Sequence, residues 1–136
     1  MLIFAASDKG GTGRSVTSAN LAYHRALAGD DVCYLDFDFA SPTASAGFDG
    51  ADACKAVEDS GLHSYLTGQV GEPERIDIWA RTEHQVLRDP PPGCGRLVLL
   101  PGDVSGGEFA TTGEHVRLCV DLLLKLSYEF ELVVEM

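Results

Sequence analysis

The chain has 136 residues, of which 45% are hydrophobic and 23% are charged. This length and composition predict a single domain with one core, spanning residues 1–136. The 21 acidic residues outnumber the 10 basic ones, and the formal net charge of −11 argues against direct binding of DNA or anionic membranes. No apolar run approaches the roughly 20 residues of a membrane span. The first residues lack the basic region of a signal peptide, so we expect a cytoplasmic protein.

Two strands and a helix are predicted in the first third of the chain. Residues 2–6 form an apolar run, which indicates a fully buried parallel strand. Residues 15–28 carry apolar side chains at helical spacing, and Gly29 follows at a position typical of a helix end. The predicted buried face of this helix comprises Ala19, Ala22, Tyr23, Ala26 and Leu27. Residues 31–37 predict a second buried strand, and residues 39–50, rich in Ala, Ser and Gly, predict a loop.

The middle of the chain carries weaker signals. Short helices are predicted at residues 51–59 and 61–67. Residues 76–79, Ile-Asp-Ile-Trp, suit the start of either a strand or a helix. Residues 89–93 place three consecutive prolines before a glycine, which indicates a turn or an extended linker.

The last third predicts a helix between two strands. Residues 96–100 and 131–135 are the strands, and residues 114–127 are the helix. The predicted buried face of the helix comprises Val116, Cys119, Val120, Leu123 and Leu124. Strands separated by helices favour right-handed crossovers, so we predict an α/β fold with a mainly parallel sheet and flanking helices. Ligands of such sheets bind at the carboxyl ends of the strands.

Residues 7–15 form a glycine-rich loop between the first strand and the first helix. Glycines at 10, 11 and 13 permit positive φ angles and bring backbone N–H groups close to an anion. The helix start adds further N–H donors, and Ser15 is placed to bind a Mg²⁺ shared with phosphates. The loop departs from the common pattern G-x-x-x-x-G-K-[ST] at Asp8 and Arg14. A glycine-rich turn that binds nothing is the alternative interpretation.

Further motifs accompany this loop. The segment Lys9-Gly10-Gly11-Thr12-Gly13-Arg14-Ser15 is followed by Asn20-Leu21-Ala22, and the second strand ends in Asp36 and Asp38 before Pro42. This combination resembles the ParA/MinD family of deviant Walker A ATPases, whose loop reads K-G-G-x-G-K-[ST]. The resemblance implies a P-loop NTPase fold that binds ATP and Mg²⁺. It also implies a nucleotide-dependent homodimer and a partner protein, which the sequence does not identify.

The resemblance implies a role for individual residues. The nucleotide contacts would come from Lys9, Gly10, Gly11, Thr12, Gly13, Arg14, Ser15 and Val16. Lys9 would also reach the phosphates of the dimer partner, and Arg14 would replace the usual loop lysine. Ser15 and Asp36 would bind Mg²⁺, and Asp38 would place the attacking water, which makes Lys9 and Asp38 the catalytic residues. In the alternative interpretations, Lys9 is an exposed loop charge and Asp38 caps a turn.

The sequence is compatible both with ATP hydrolysis and with its absence. In the family, a second acidic strand ends in an aspartate. Counting from Phe130 puts Met136 in the place of that aspartate. Glu135 lies one residue earlier and therefore belongs to the opposite face of the strand. Either a bulge brings Glu135 to the metal or this carboxylate is lacking. We therefore expect a Mg²⁺-ATP-binding positioning or regulatory switch with slow hydrolysis. The alternatives are a non-hydrolysing pseudo-ATPase that acts as a scaffold or partner-binding protein, and a related P-loop synthetase or kinase that acts on a small molecule. Because family members are longer, residues 1–136 are expected to be the N-terminal part of a longer domain.

Overall fold

The computed structural model describes residues 1–4, 14–36, 61–81, 92–101 and 113–135. Within these ranges strands and helices alternate along the chain: β1 (Leu2–Phe4), α1 (Arg14–Leu27), β2 (Val32–Leu35), α2 (Leu62–Leu66), β3 (Ile76–Asp77), α3 (Ile78–Arg81), β4 (Leu97–Leu100), α4 (Gly113–Glu129) and β5 (Leu132–Glu135). The predicted loop at residues 39–50 and helix at residues 51–59 lie outside the described residues, as does most of the turn predicted at residues 89–93.

The strands form one five-stranded sheet in the order β1-β5-β2-β4-β3. The pairs β1–β5, β5–β2 and β2–β4 are parallel, and the short β3 pairs with β4 in the antiparallel sense. This arrangement confirms the predicted α/β fold with a mainly parallel sheet. Both structures suggested for residues 76–79 occur, because β3 is followed directly by α3.

Side chains of the central strands alternate between two apolar layers, as strand geometry requires. One layer lies on the α1 side and contains Ala19, Ala22, Ala26, Val32, Tyr34, Ile76, Ile78, Leu97, Leu99 and Leu132. The layer on the α4 side contains Cys33, Leu35, Leu62, Val98, Leu100, Leu122, Leu126, Phe130 and Val133. The sheet is therefore covered on both faces, which is the usual environment of parallel strands.

Helix α1 packs closely on the sheet because its inner face is made of small residues. Ser18, Ala22 and Ala26 follow one another at four-residue spacing, and all three are buried. The helix ends before Gly29, whose φ of 109° favours glycine. The prediction of this helix is confirmed, with a start at Arg14 instead of Ser15.

The predicted buried face of α4 is wrong for three of its five residues. Leu122 and Leu126 are the buried side chains of this helix, whereas Val116, Val120 and Leu124 are 50%, 48% and 55% exposed. The two other predicted residues, Cys119 and Leu123, are half-buried. Apolar side chains surround much of this helix, so their spacing alone does not select the face that packs on the sheet.

Strand β1 is less buried than its apolar sequence predicts. Leu2 is 37% exposed, and Ile3 is half-buried. The reason is its position in the sheet: within the described residues β1 pairs with β5 and lies at an edge. The prediction of a fully buried strand is therefore wrong for Leu2 and Ile3.

At the amino ends of the strands, two arginines enclose the ring of Phe130. Arg96 stacks 4.6 Å from the ring centroid, and Arg75 lies 5.8 Å from it. Arg75 also donates two hydrogen bonds to the carboxylate of Glu129, at 2.6 and 2.9 Å. These hydrogen bonds lower the pKa of Glu129 below its ordinary value. The contacts fasten the end of α4 to the sheet at the edge opposite the strand carboxyl ends.

Cys33, Cys94 and Cys119 are free thiols, and Cys33 is buried. Among the helices in the described ranges, none has the length and apolar character needed to cross a membrane.

Candidate functional site

The four parallel strands end in register, so that the last residue of each strand pairs with the last residue of its neighbour. Phe4 of β1 pairs with Glu135 of β5, and Glu135 pairs in turn with Leu35 of β2. Leu35 pairs with Leu100 of β4. Four strands thus end at one edge of the sheet, and Asp36 and Pro101, which follow β2 and β4, lie at this edge. This edge is where parallel α/β sheets bind their ligands.

Asp36 is a buried carboxylate at this edge. It follows β2 directly, is fully buried, and its backbone N–H donates to the carbonyl of Leu100 at 3.1 Å. The start of α2 reaches the same edge, since the N–H of Leu62 donates to the carbonyl of Pro101 at 3.0 Å. Burying a carboxylate is costly unless hydrogen bonds or a cation offset the cost. Carboxylate oxygen is also the ligand type that Mg²⁺ prefers, so Asp36 fits a metal-binding role.

The first turn of α1 is suited to an anion. Arg14, Ser15 and Val16 belong to this turn, which contains no acidic residue. His24 and Arg25 lie in the last turn, where positive charge complements the helix dipole. The N–H groups that open an α-helix and the positive end of its dipole favour a phosphate at the helix start.

The sequence analysis missed a buried hydroxyl pair beneath this edge. The side-chain oxygens of Ser18 on α1 and Tyr34 on β2 share a hydrogen bond of 2.5 Å, and both residues are buried. A signal for this pair was present: a tyrosine in an otherwise apolar buried strand needs a partner for its hydroxyl. Ser18, on the inner face of α1, supplies one.

Several predicted site residues lie outside the described residues: Lys9, Gly10, Gly11, Thr12, Gly13 and Asp38. Their approach to Asp36 stays a prediction. Asn20, which the family motif places behind the loop, is exposed on α1. Within the described ranges, no three His, Cys, Asp or Glu side chains cluster in a way that could hold a metal ion.

A comparison with protein families identifies this domain. A model described as the CobQ/CobB/MinD/ParA nucleotide binding domain matches residues 3–128, which begin within β1 and include nearly all of α4. The chain belongs to this family. The ParA/MinD resemblance is thereby confirmed at the family level, and the CobQ/CobB/MinD/ParA domain makes the chain a nucleotide-binding protein. Comparisons with curated proteins and with solved structures find no match.

Proposed function

We propose that this protein binds ATP with Mg²⁺ at the carboxyl edge of the sheet and acts as a nucleotide-dependent switch in the cytoplasm. The observation that carries the proposal is the fully buried Asp36, which follows β2. Helix α1 begins at the same edge of the sheet, and its first turn contains no acidic residue. A carboxylate beside a helix start offers one ligand for the metal and one site for phosphate. Membership of a nucleotide-binding family supports this assignment.

We assign a role to the loop backbone, to Arg14 and to the two metal ligands. The backbone from Lys9 to Val16 surrounds the phosphates, and the guanidinium of Arg14 takes the place of the usual lysine, with a permanent charge and a planar fork. Ser15 and Asp36 hold Mg²⁺. The metal, when bound, neutralises charge on the phosphate oxygens, because phosphoryl transfer depends mainly on positioning and charge neutralisation.

Two further residues would link nucleotide binding to switching. Lys9 contacts the phosphates of a second copy and makes dimerisation depend on ATP. Asp38 orients the attacking water, so turnover returns the protein to its monomeric form. The dimer presents a surface to a protein partner, whose identity the chain does not specify.

Titration of the full chain with ATP by calorimetry tests this proposal, with Mg²⁺ and with EDTA. We expect micromolar binding that is lost in Arg14→Ala and retained in Arg14→Lys, because a positive charge at position 14 would attract the phosphates and lysine keeps that charge. Arg117→Ala is the matched control, since this arginine is exposed on α4 and pairs with Glu114 and Asp121. Absence of binding by wild-type protein with a native far-UV circular dichroism spectrum would overturn the proposal.

A second candidate function is a switch that binds nucleotide without hydrolysing it. The register of β5 favours this candidate, because Glu135 pairs with Leu35 and lies one residue short of Asp36. Phosphate release by the full chain separates the two candidates. Binding without release favours the scaffold, whereas release that stops in Asp38→Asn favours the hydrolase.

A further inference from the structure

The hydroxyl pair of Ser18 and Tyr34 joins the two elements that carry the proposed metal ligands. Ser18 belongs to α1, which begins at the glycine-rich loop, and Tyr34 belongs to β2, which ends at Asp36. Their oxygens are 2.5 Å apart, at the short end of the range for O–H···O hydrogen bonds. Ser18 is 3% exposed and Tyr34 is fully buried, so water does not compete strongly for this contact.

The spacing of these residues relates the pair to the proposed site. Tyr34 and Asp36 are two residues apart and therefore belong to the same face of β2, the face that packs on α1. Positions 15 and 18 are three residues apart and belong to one side of α1. Three helical residues span about 4.5 Å and two strand residues about 6.6 Å. The hydroxyl pair is therefore three residues from position 15 along α1 and two residues from position 36 along β2. On both elements it lies farther than these positions from the carboxyl edge of the sheet.

The other buried α1 side chains of this layer are alanines, and at the far end of the helix the carbonyl of Ala26 accepts a hydrogen bond from the N–H of Gly95 at 2.9 Å. Ala22 and Ala26 pack in the same layer as Val32, through small side chains without directional bonds. Apolar packing of small residues tolerates sliding, whereas a buried hydrogen bond has a defined length and direction. The pair supplies the directional contact that the alanine side chains lack.

We infer that Ser18 and Tyr34 are positioning residues, which fix α1 along β2 so that Ser15 and Asp36 bind the same Mg²⁺. This inference rests on the proposed function. It predicts that losing either hydroxyl weakens the contribution of Mg²⁺ to nucleotide affinity and leaves the metal-free affinity intact. The reason is that the metal requires both elements at once, whereas the phosphates contact the loop and helix start alone.

The test compares Tyr34→Phe, Ser18→Ala and the double variant with wild-type full chain. Tyr23→Phe is the matched control, because Tyr23 packs against the same layer from α1. ATP affinity is measured with Mg²⁺ and with EDTA, and amide exchange of residues 18–21 is measured without nucleotide. We expect the Mg²⁺-dependent gain in affinity to fall about 10-fold in each single variant, the scale seen when a partner of a metal ligand is removed. We also expect faster exchange at residues 18–21 of the free protein.

Further outcomes separate this inference from the proposed function. The double variant should lose no more of the gain than either single variant, because both residues serve one contact. An unchanged Mg²⁺ gain in folded variants would overturn the inference alone, and so would an equal loss of affinity with Mg²⁺ and with EDTA. If Tyr34→Phe does not fold, Ser18→Ala decides by the same criteria. Wild-type protein that binds no nucleotide would overturn the proposed function, and the inference with it.

Discussion

The backbone carbonyl of Asp30 occupies the place where residue 95 would carry a side chain. A Cβ built on Gly95 would overlap that oxygen and would lie 2.9 Å from the N of Asp31. The close approach brings the segment before β4 against the end of α1, where the N–H of Gly95 donates to the carbonyl of Ala26 at 2.9 Å. Only a residue without a Cβ fits here unless one backbone segment moves.

Gly95→Ala is therefore expected to destabilise the protein by about 1–3 kcal/mol or more, the cost of forcing extra volume into a packed site. Gly71→Ala is the control, because a Cβ at Gly71 meets no atom within 4 Å; its effect should stay within about 0.5 kcal/mol. Urea unfolding of both variants measures the difference. Equal stabilities would contradict the close approach.

Asp36 and Glu135 are expected to respond differently to loss of charge. The β5–β2 ladder is continuous from Val32 and Leu132 to Leu35 and Glu135, so no bulge within it brings Glu135 level with Asp36. Asp36→Asn should lower the Mg²⁺-dependent ATP affinity about 10-fold or more, whereas Glu135→Gln should leave it unchanged. Calorimetry with Mg²⁺ and with EDTA measures both effects. A similar loss in the two variants would show that Glu135 serves the metal as well.

Two leucines of α4 provide a test of which helix face is buried. Leu126 is fully buried in the layer with Leu122 and Phe130, and Leu124 is 55% exposed. Leu126→Ala should lower the free energy of unfolding by about 2–5 kcal/mol, because it leaves a cavity. Leu124→Ala should change it by less than about 1 kcal/mol. The reverse order in thermal or urea unfolding would mean that the helix packs through its other face.

The thiol of Cys33 predicts a loss of stability at alkaline pH. Burial raises the pKa of Cys33 from 9.0 to about 12, and the smaller effects of Arg75 and Arg96 oppose this shift. Above pH 9 the unfolded chain releases this proton while the folded chain keeps it. The contribution of Cys33 to the free energy of unfolding therefore falls as pH rises from 9 to about 12, by at most about 1.4 kcal/mol per pH unit.

The measurement compares wild-type protein with Cys33→Val at several pH values. Valine fills a similar volume without a titrating group, so the difference between the two curves isolates the thiol. That difference should be constant well below pH 9 and should change in favour of valine as the pH rises through 9. A constant difference over the whole range would contradict a buried, neutral thiol.

The elements predicted correctly are those whose pattern of apolar residues is compatible with one secondary structure only. Helix α1 has small apolar residues along a single face, and Ala22 and Ala26 are indeed buried. The strands β2 and β4 are short, wholly apolar and bounded by polar or turn residues, so both were located to within a few residues. Asp36 was placed correctly at a strand end, because its position follows from the strand before it.

The features that escaped prediction depend on contacts between distant residues. Leu122 and Leu126 face the sheet because the end of α4 is fastened through Phe130, which Arg75 and Arg96 enclose. No spacing within α4 carries that information. The bond between Ser18 and Tyr34 likewise depends on how far α1 extends along β2, which only the packed structure determines.

The order of strands in the sheet determines when β1 can pair during synthesis of the chain. Leu2 pairs with Val133, and among the described strands β5 is the neighbour of β1, so this pairing waits until β5 has been synthesised and inserted between β1 and β2. At a ribosomal rate of about 5–20 residues per second, the first strand waits on the order of ten seconds for its neighbour. Pairings between such distant residues also slow folding itself. The strand that precedes the glycine-rich loop is therefore held in the sheet only after β5 has been made.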